Sequence, residues 1–138
     1  YELPCSCKKG IGHWEGYASG RSIPIFFNIW AAMHRKKVSA VPNTAKDIFD
    51  RARVGDATAL EFLDTVNRLN ARAISNVIVA YDPELITIGG SVMLMNAPLL
   101  LGGIKKYADR YLKTPKIRVT RLGENISLFG AAAAVFAG

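Results

Sequence analysis

Residues 82–92, DPELITIGGSV, decide the fold class. The pair Asp82-Pro83 stops any helix arriving from upstream, because proline disfavours the helical conformation in the residue before it. Leu85 to Ile88 then forms a short β-prone run that ends on Gly89 and Gly90. Upstream, Ala59, Phe62, Leu63, Val66, Leu69, Ala73, Val77 and Ala80 keep one apolar stripe over about seven turns, which predicts a long helix beginning at Asp56. Before it, NTAKDIFDRARVGD (43–56) predicts a short amphipathic helix capped by Asn43 or Thr44 and ending near Gly55. SIPIFFNIWAAMHRKK (22–37) predicts another, with Pro24 in its first turn and Ile25, Phe26, Ile29, Trp30 and Met33 as its apolar residues. Downstream come a helix from about Ala97 to Tyr111 and an alternating strand in KIRVTRL (116–122). A small-residue helix capped by Ser127 closes the chain, its four alanines permitting close approach to a neighbour. Helices alternating with at least two strands make the class α/β.

The chain has 138 residues, half of them hydrophobic (50%), enough for one domain with a real core. The formal net charge of +7 invites a nucleic-acid reading. Distribution argues against it: HRKK (34–37), Arg51, Arg53, Arg68, Arg72, Lys105, Lys106 and Arg110 are scattered, with acids interspersed. Attraction of anionic nucleotides is a further use for such a charge. The two cysteines, Cys5 and Cys7, are too close to bridge without a strained ring, which fits a reducing interior. No apolar run nears the roughly 20 residues of a membrane span, and no leader pattern opens the chain. A cytoplasmic protein with no membrane partner is expected. The start at Tyr1, close to the densest chemistry, suggests a piece of something longer.

That chemistry lies in CSCKKGIGHWEGYASGRSIP (5–24). Thiolates and imidazole are zinc's preferred ligands, and a glycine-kinked loop lets near neighbours in sequence converge on one ion, so Cys5, Cys7 and His13 are candidate metal ligands. They are equally readable as two reduced thiols and a surface histidine. His34, within a predicted helix, is a poor fourth ligand. Glu15 either compensates a helix dipole or, fixed by a metal loop, accepts hydrogen bonds from sugar hydroxyls. His13 can share that role through its second ring nitrogen. Gly89 and Gly90 serve a plain strand-to-helix turn or the close approach of backbone to a nucleotide.

The order Cys-x-Cys, glycine-rich turn, metal-ligand residue, one residue, Glu, then YASG resembles the signature of the ROK family of repressors and sugar kinases. Two departures stand out: Lys8 where glycine is usual, and GHWE (12–15) with His13 in the place of a third cysteine. DPELITIGGSV resembles the family's adenosine-side segment, and LFGAAAAVF its closing helix. The resemblance implies a helix-rich α/β fold with a short mixed sheet, the C-terminal lobe of an actin-like ATPase of the ribonuclease H-like kind. Residues 1–138 would be that single lobe, with 1–20 the zinc and sugar loop and 82–92 the nucleotide side. The N-terminal lobe, with its phosphate loop, catalytic aspartate and a further zinc-binding histidine, would lie before Tyr1. The family implies structural Zn2+ on Cys5, Cys7 and His13, a hexose on Glu15 and His13, ATP with its adenosine against Gly89 and Gly90, Mg2+ as the second cofactor, and a homo-oligomer. Phe26, Phe27, Ile29 and Trp30 suit such an oligomer contact, but a buried core helix is the better account of them. Two other classes stay open: a sugar-sensing repressor lobe, and an unrelated zinc-stabilised interaction domain.

Overall fold

A computed structural model describes residues 1–109 and 111–136; Arg110, from the predicted fifth helix, and Ala137 and Gly138, from the closing one, lie outside the described residues. The elements are α1 (Glu15–Ala18), α2 (Ser22–Met33), α3 (Ala45–Arg53), α4 (Ala57–Tyr81), β1 (Leu85–Ile88), α5 (Ser91–Tyr107), β2 (Lys116–Val119), a 3-10 turn (Gly123–Asn125) and α6 (Ile126–Phe136). β1 and β2 pair in parallel, Leu85 opposite Lys116 and Ile88 opposite Val119. A parallel pair needs a crossover, and α5 provides it. Among the described residues the one antiparallel pairing outside this sheet is an isolated bridge, Pro4 to Ile11, at the base of the cysteine loop.

The helix limits follow local chemistry. Thr44 caps α3 in a reciprocal box: its hydroxyl accepts from the Asp47 N–H, and the Asp47 carboxylate accepts from the Thr44 N–H. Asp56 caps α4 by accepting from the Ala59 N–H at 2.8 Å. At the other end Asp82 turns left-handed (φ 43°) ahead of Pro83, so the chain leaves α4 where the sequence predicts.

The core is aromatic and centred on Phe62 of α4. Its ring meets those of Phe26, Phe27 and Trp30 from α2 at centroid distances of 5.2, 5.0 and 5.5 Å, all edge-to-face. Tyr17 of α1 joins the edge of this cluster at Phe26, 5.3 Å away. Its hydroxyl donates to the Tyr1 carbonyl at 2.6 Å and accepts from the Leu3 N–H at 3.3 Å, tying the first residues to the core.

Three expectations change. α2 turns a different face inward: Ile23, Phe26, Phe27, Trp30 and Ala31 are buried, while Ile25, Ile29 and Met33 are exposed. The segment has no charged residue, so periodicity could not tell its two apolar faces apart. In the second half of α4 the buried line runs through Asn67, Asn70, Ala71, Ile74 and Ile78, not through Ala73, Val77 and Ala80. α5 begins six residues before the expected Ala97. Pro98 lies inside the helix, just past a kink at which Asn96 leaves helical geometry (φ −130°). Asn96 donates to the Val92 carbonyl at 2.8 Å and accepts from Arg53 of α3 at 2.5 Å, so side chains replace the broken helical bonding. The alanine-rich α6 buries none of its residues.

Candidate functional site

The loop from Cys5 to Gly10 is closed by its own backbone: Cys5 N–H donates to the Gly10 carbonyl and Lys8 N–H to the Cys5 carbonyl, both at 3.0 Å. Lys8 sits in the left-handed region (φ 58°), which accounts physically for glycine being the easier residue there. The closure brings the ligand atoms of Cys5, Cys7 and His13 within 4.8 Å of one another. Two ligands of a tetrahedral ion at zinc's bond lengths lie about 3.3–3.8 Å apart, so a small contraction would let the three share one ion. Cys7 Sγ and His13 Nδ1 already stand 3.4 Å apart. A Cβ on Gly10 would fall 2.5 Å from His13 Nε2, so only glycine leaves the ring where it is. The donor set and spacing therefore fit three of the four positions of a zinc site. His34 is engaged elsewhere, with its Nδ1 2.8 Å from the Trp30 carbonyl and its ring stacked on the Trp30 indole.

The same loop fixes Glu15, the first residue of α1. Ser6, the residue between the cysteines, donates its hydroxyl to Glu15 Oε1 at 2.5 Å, and the Cys5 thiol donates to Oε2 at 3.5 Å. These bonds, the Ser6 hydroxyl first, hold the Glu15 carboxyl below the usual glutamate range. The Lys9 backbone N–H lowers the Cys7 thiol. At Cys5 the Cys7 backbone pulls downward, but the Cys7 sulfur, burial and Glu15 outweigh it and the thiol is raised. Ser6 carried no signal in the sequence, since a serine between two cysteines looks like filler.

β1 ends on Gly89 and Gly90, and Gly90 takes a φ of 89° that glycine alone adopts without strain; a Cβ there would meet nothing within 4 Å. The turn opens onto a cavity of about 400 Å³ at the carboxyl end of the strand, the usual place for ligands on open α/β sheets. Trp14, Glu15, Asn70, Gly89 and Gly90 all line it, above a floor that includes Ile74, Ile88, Leu100 and Ile104. The structure thus brings Glu15 together with the Gly-Gly turn, while Cys5, Cys7 and His13, the last also expected at the sugar, are not among the residues lining the cavity. It adds Trp14 and Asn70, joined by a 2.8 Å hydrogen bond from the indole N–H to Asn70 Oδ1.

With this geometry established, the family model described as ROK family matches residues 1–137. The glucokinase of Aeropyrum pernix is 33% identical over 143 residues, covering 96% of this chain and 44% of that protein. The glucokinase of Pyrobaculum calidifontis is 32% identical, covering 96% of this chain and 43% of that one. The chain therefore spans less than half the length of these relatives. A crystal structure of a ROK family glucokinase from Streptomyces griseus, in complex with glucose and AMPPNP, superposes with a TM-score of 0.75 at 24% identity, over 99% of this chain and 48% of that one. The fold is that of the C-terminal lobe of an actin-like ATPase.

Proposed function

The chain belongs to the ROK family, and on that premise we propose that it forms the C-terminal lobe, residues 1–138, of an ATP-dependent kinase for a glucose-like hexose. One observation carries the reading: Glu15 and the Gly89-Gly90 turn, distant in sequence and each singled out for a different substrate, line one cavity. Glu15, with His13 beside it, holds sugar hydroxyls. Gly89 and Gly90 lie against the adenosine of ATP, whose phosphates carry Mg2+. Cys5, Cys7 and His13 hold a structural Zn2+ that keeps the loop, and with it Ser6 and Glu15, in place. When bound, that ion supplies a rigid cross-link and no step of the reaction.

A sugar hydroxyl attacks the γ-phosphate, a transfer that relies on alignment and charge spreading. This lobe contributes the alignment. The aspartate base belongs to the N-terminal lobe, so the lobe alone is inactive, and the whole enzyme works as a cytoplasmic homo-oligomer without nucleic acid.

The test is an ATP-coupled phosphorylation assay on the full-length protein against glucose, fructose, mannose and N-acetylated amino sugars, with and without a zinc chelator. Turnover on one sugar, lost on chelation, is the expected result. A folded, zinc-loaded protein that phosphorylates none of them overturns the kinase reading in favour of a sugar-sensing repressor.

A further inference from the structure

Trp14 has no part in the scheme above, yet it is placed as carefully as Glu15. The chain has two tryptophans. Trp30 is buried in the core at 1% exposure, whereas Trp14 keeps 45% of its surface open. A large exposed aromatic ring usually moves among rotamers. This one is pinned, because its N–H donates to Oδ1 of Asn70, a side chain only 6% exposed on the inner face of α4. A polar side chain in the middle of a buried helical stripe costs stability unless it is paired, and the indole pairs it. With its N–H edge engaged, the ring has its faces left for contact. Trp14 shares the cavity lining with Gly90, where a Cβ would meet nothing within 4 Å and the backbone is bare toward open space, and with the apolar Ile74 and Ile88.

A flat aromatic wall, bare backbone and aliphatic neighbours suit a planar heterocycle better than a hexose, which needs a dense set of polar partners around its hydroxyls. We propose that Trp14 is the base-stacking residue of the nucleotide half of the site, held in its working orientation by Asn70. This rests on the kinase reading of the cavity and assigns the group that recognises the purine ring. Stacking of a base on an aromatic side chain corresponds to roughly 5- to 150-fold in affinity when the ring is removed.

The test is calorimetric titration of the full-length protein and its Trp14→Ala and Trp14→Phe variants with three probes: Mg-ATP, base-free Mg-tripolyphosphate, and glucose. Trp14→Ala is expected to weaken ATP by 5- to 150-fold while tripolyphosphate and glucose change less than twofold, and Trp14→Phe to recover most of the loss. Unchanged ATP affinity in Trp14→Ala overturns the assignment. So does a parallel loss of all three probes, which would mark Trp14 as a structural support. A wild-type protein that binds glucose but no ATP removes the nucleotide reading itself, an outcome separate from either of these.

Discussion

The aromatic core and the cysteine loop are built by opposite means. Around Phe62, rings with almost no exposed surface fill space in edge-to-face contact, and no hydrogen bond between side chains holds them. In the loop, almost every side chain is exposed, and position is set by backbone closure and by polar bonds to Glu15 and among Cys7, His13 and Lys9. The core is insensitive to pH because dispersion and burial do not titrate; the polar bonds of the loop depend on protonation states. Tyr17 is the joint between them, packing on Phe26 and binding the backbone of Tyr1 and Leu3. The candidate site's framework thus comes from the core, and its reactive groups from the loop.

The largest blow to this division is Phe62→Ala. Removing the hub of the cluster is expected to cost about 3–5 kcal/mol and to release both regions together in a single urea transition. Two separate transitions would show that the loop is independent of the core. Next is metal removal. If zinc is present at a hundredfold its Kd, chelation, or Cys5→Ser, is expected to lower stability by about 2.7 kcal/mol and to raise hydrogen exchange in residues 5–15 far more than in α4. Metal-free protein with the same melting temperature and an equally protected loop would defeat that prediction.

Glu15→Ala probes function without touching the core. Sugar affinity is expected to fall roughly 13- to 160-fold, the loss of a charge-assisted hydrogen bond, with the denaturant midpoint lowered far less than in Phe62→Ala. The smallest effect is the one Ser6 makes. Because the Glu15 carboxyl is held below its ordinary value, its bonding in the folded loop is fully present above the unfolded glutamate value of about 4.3 and is lost only as pH falls through the lower, folded value. Ser6→Ala should shift that loss upward in pH. Sugar affinity followed from pH 7 downward would show it, and identical profiles for the two proteins would assign the depression to something other than Ser6.

Much of the fold is legible along the chain. The long helix, its stop at Asp82-Pro83, the strand and the glycine turn follow from local preferences that tertiary contacts only reinforce. The kink of α5 was not legible, because the partner that stabilises the break, Arg53, lies 43 residues away from Asn96. The buried face of α2 was not legible either. A segment apolar on all sides contains no vector, and the choice between Ile25-Ile29-Met33 and Phe26-Phe27-Trp30 is made by where Phe62 stands.

For the site, residue chemistry made Cys5, Cys7, His13, Glu15, Gly89 and Gly90 candidates, each with an ordinary structural use beside the functional one, and it was the ROK-like order of the motifs that singled them out. Their convergence was a tertiary decision. Only the packing of α1 and α5 against α4 puts Glu15 and Gly90 on one cavity, and only the packing of α1 on α4 gives Trp14 and Asn70 a shared hydrogen bond. A sequence specifies which groups are available through local rules of spacing and backbone preference. Which of them meet depends on long-range burial, and this sums over too many side chains to be visible in any one stretch.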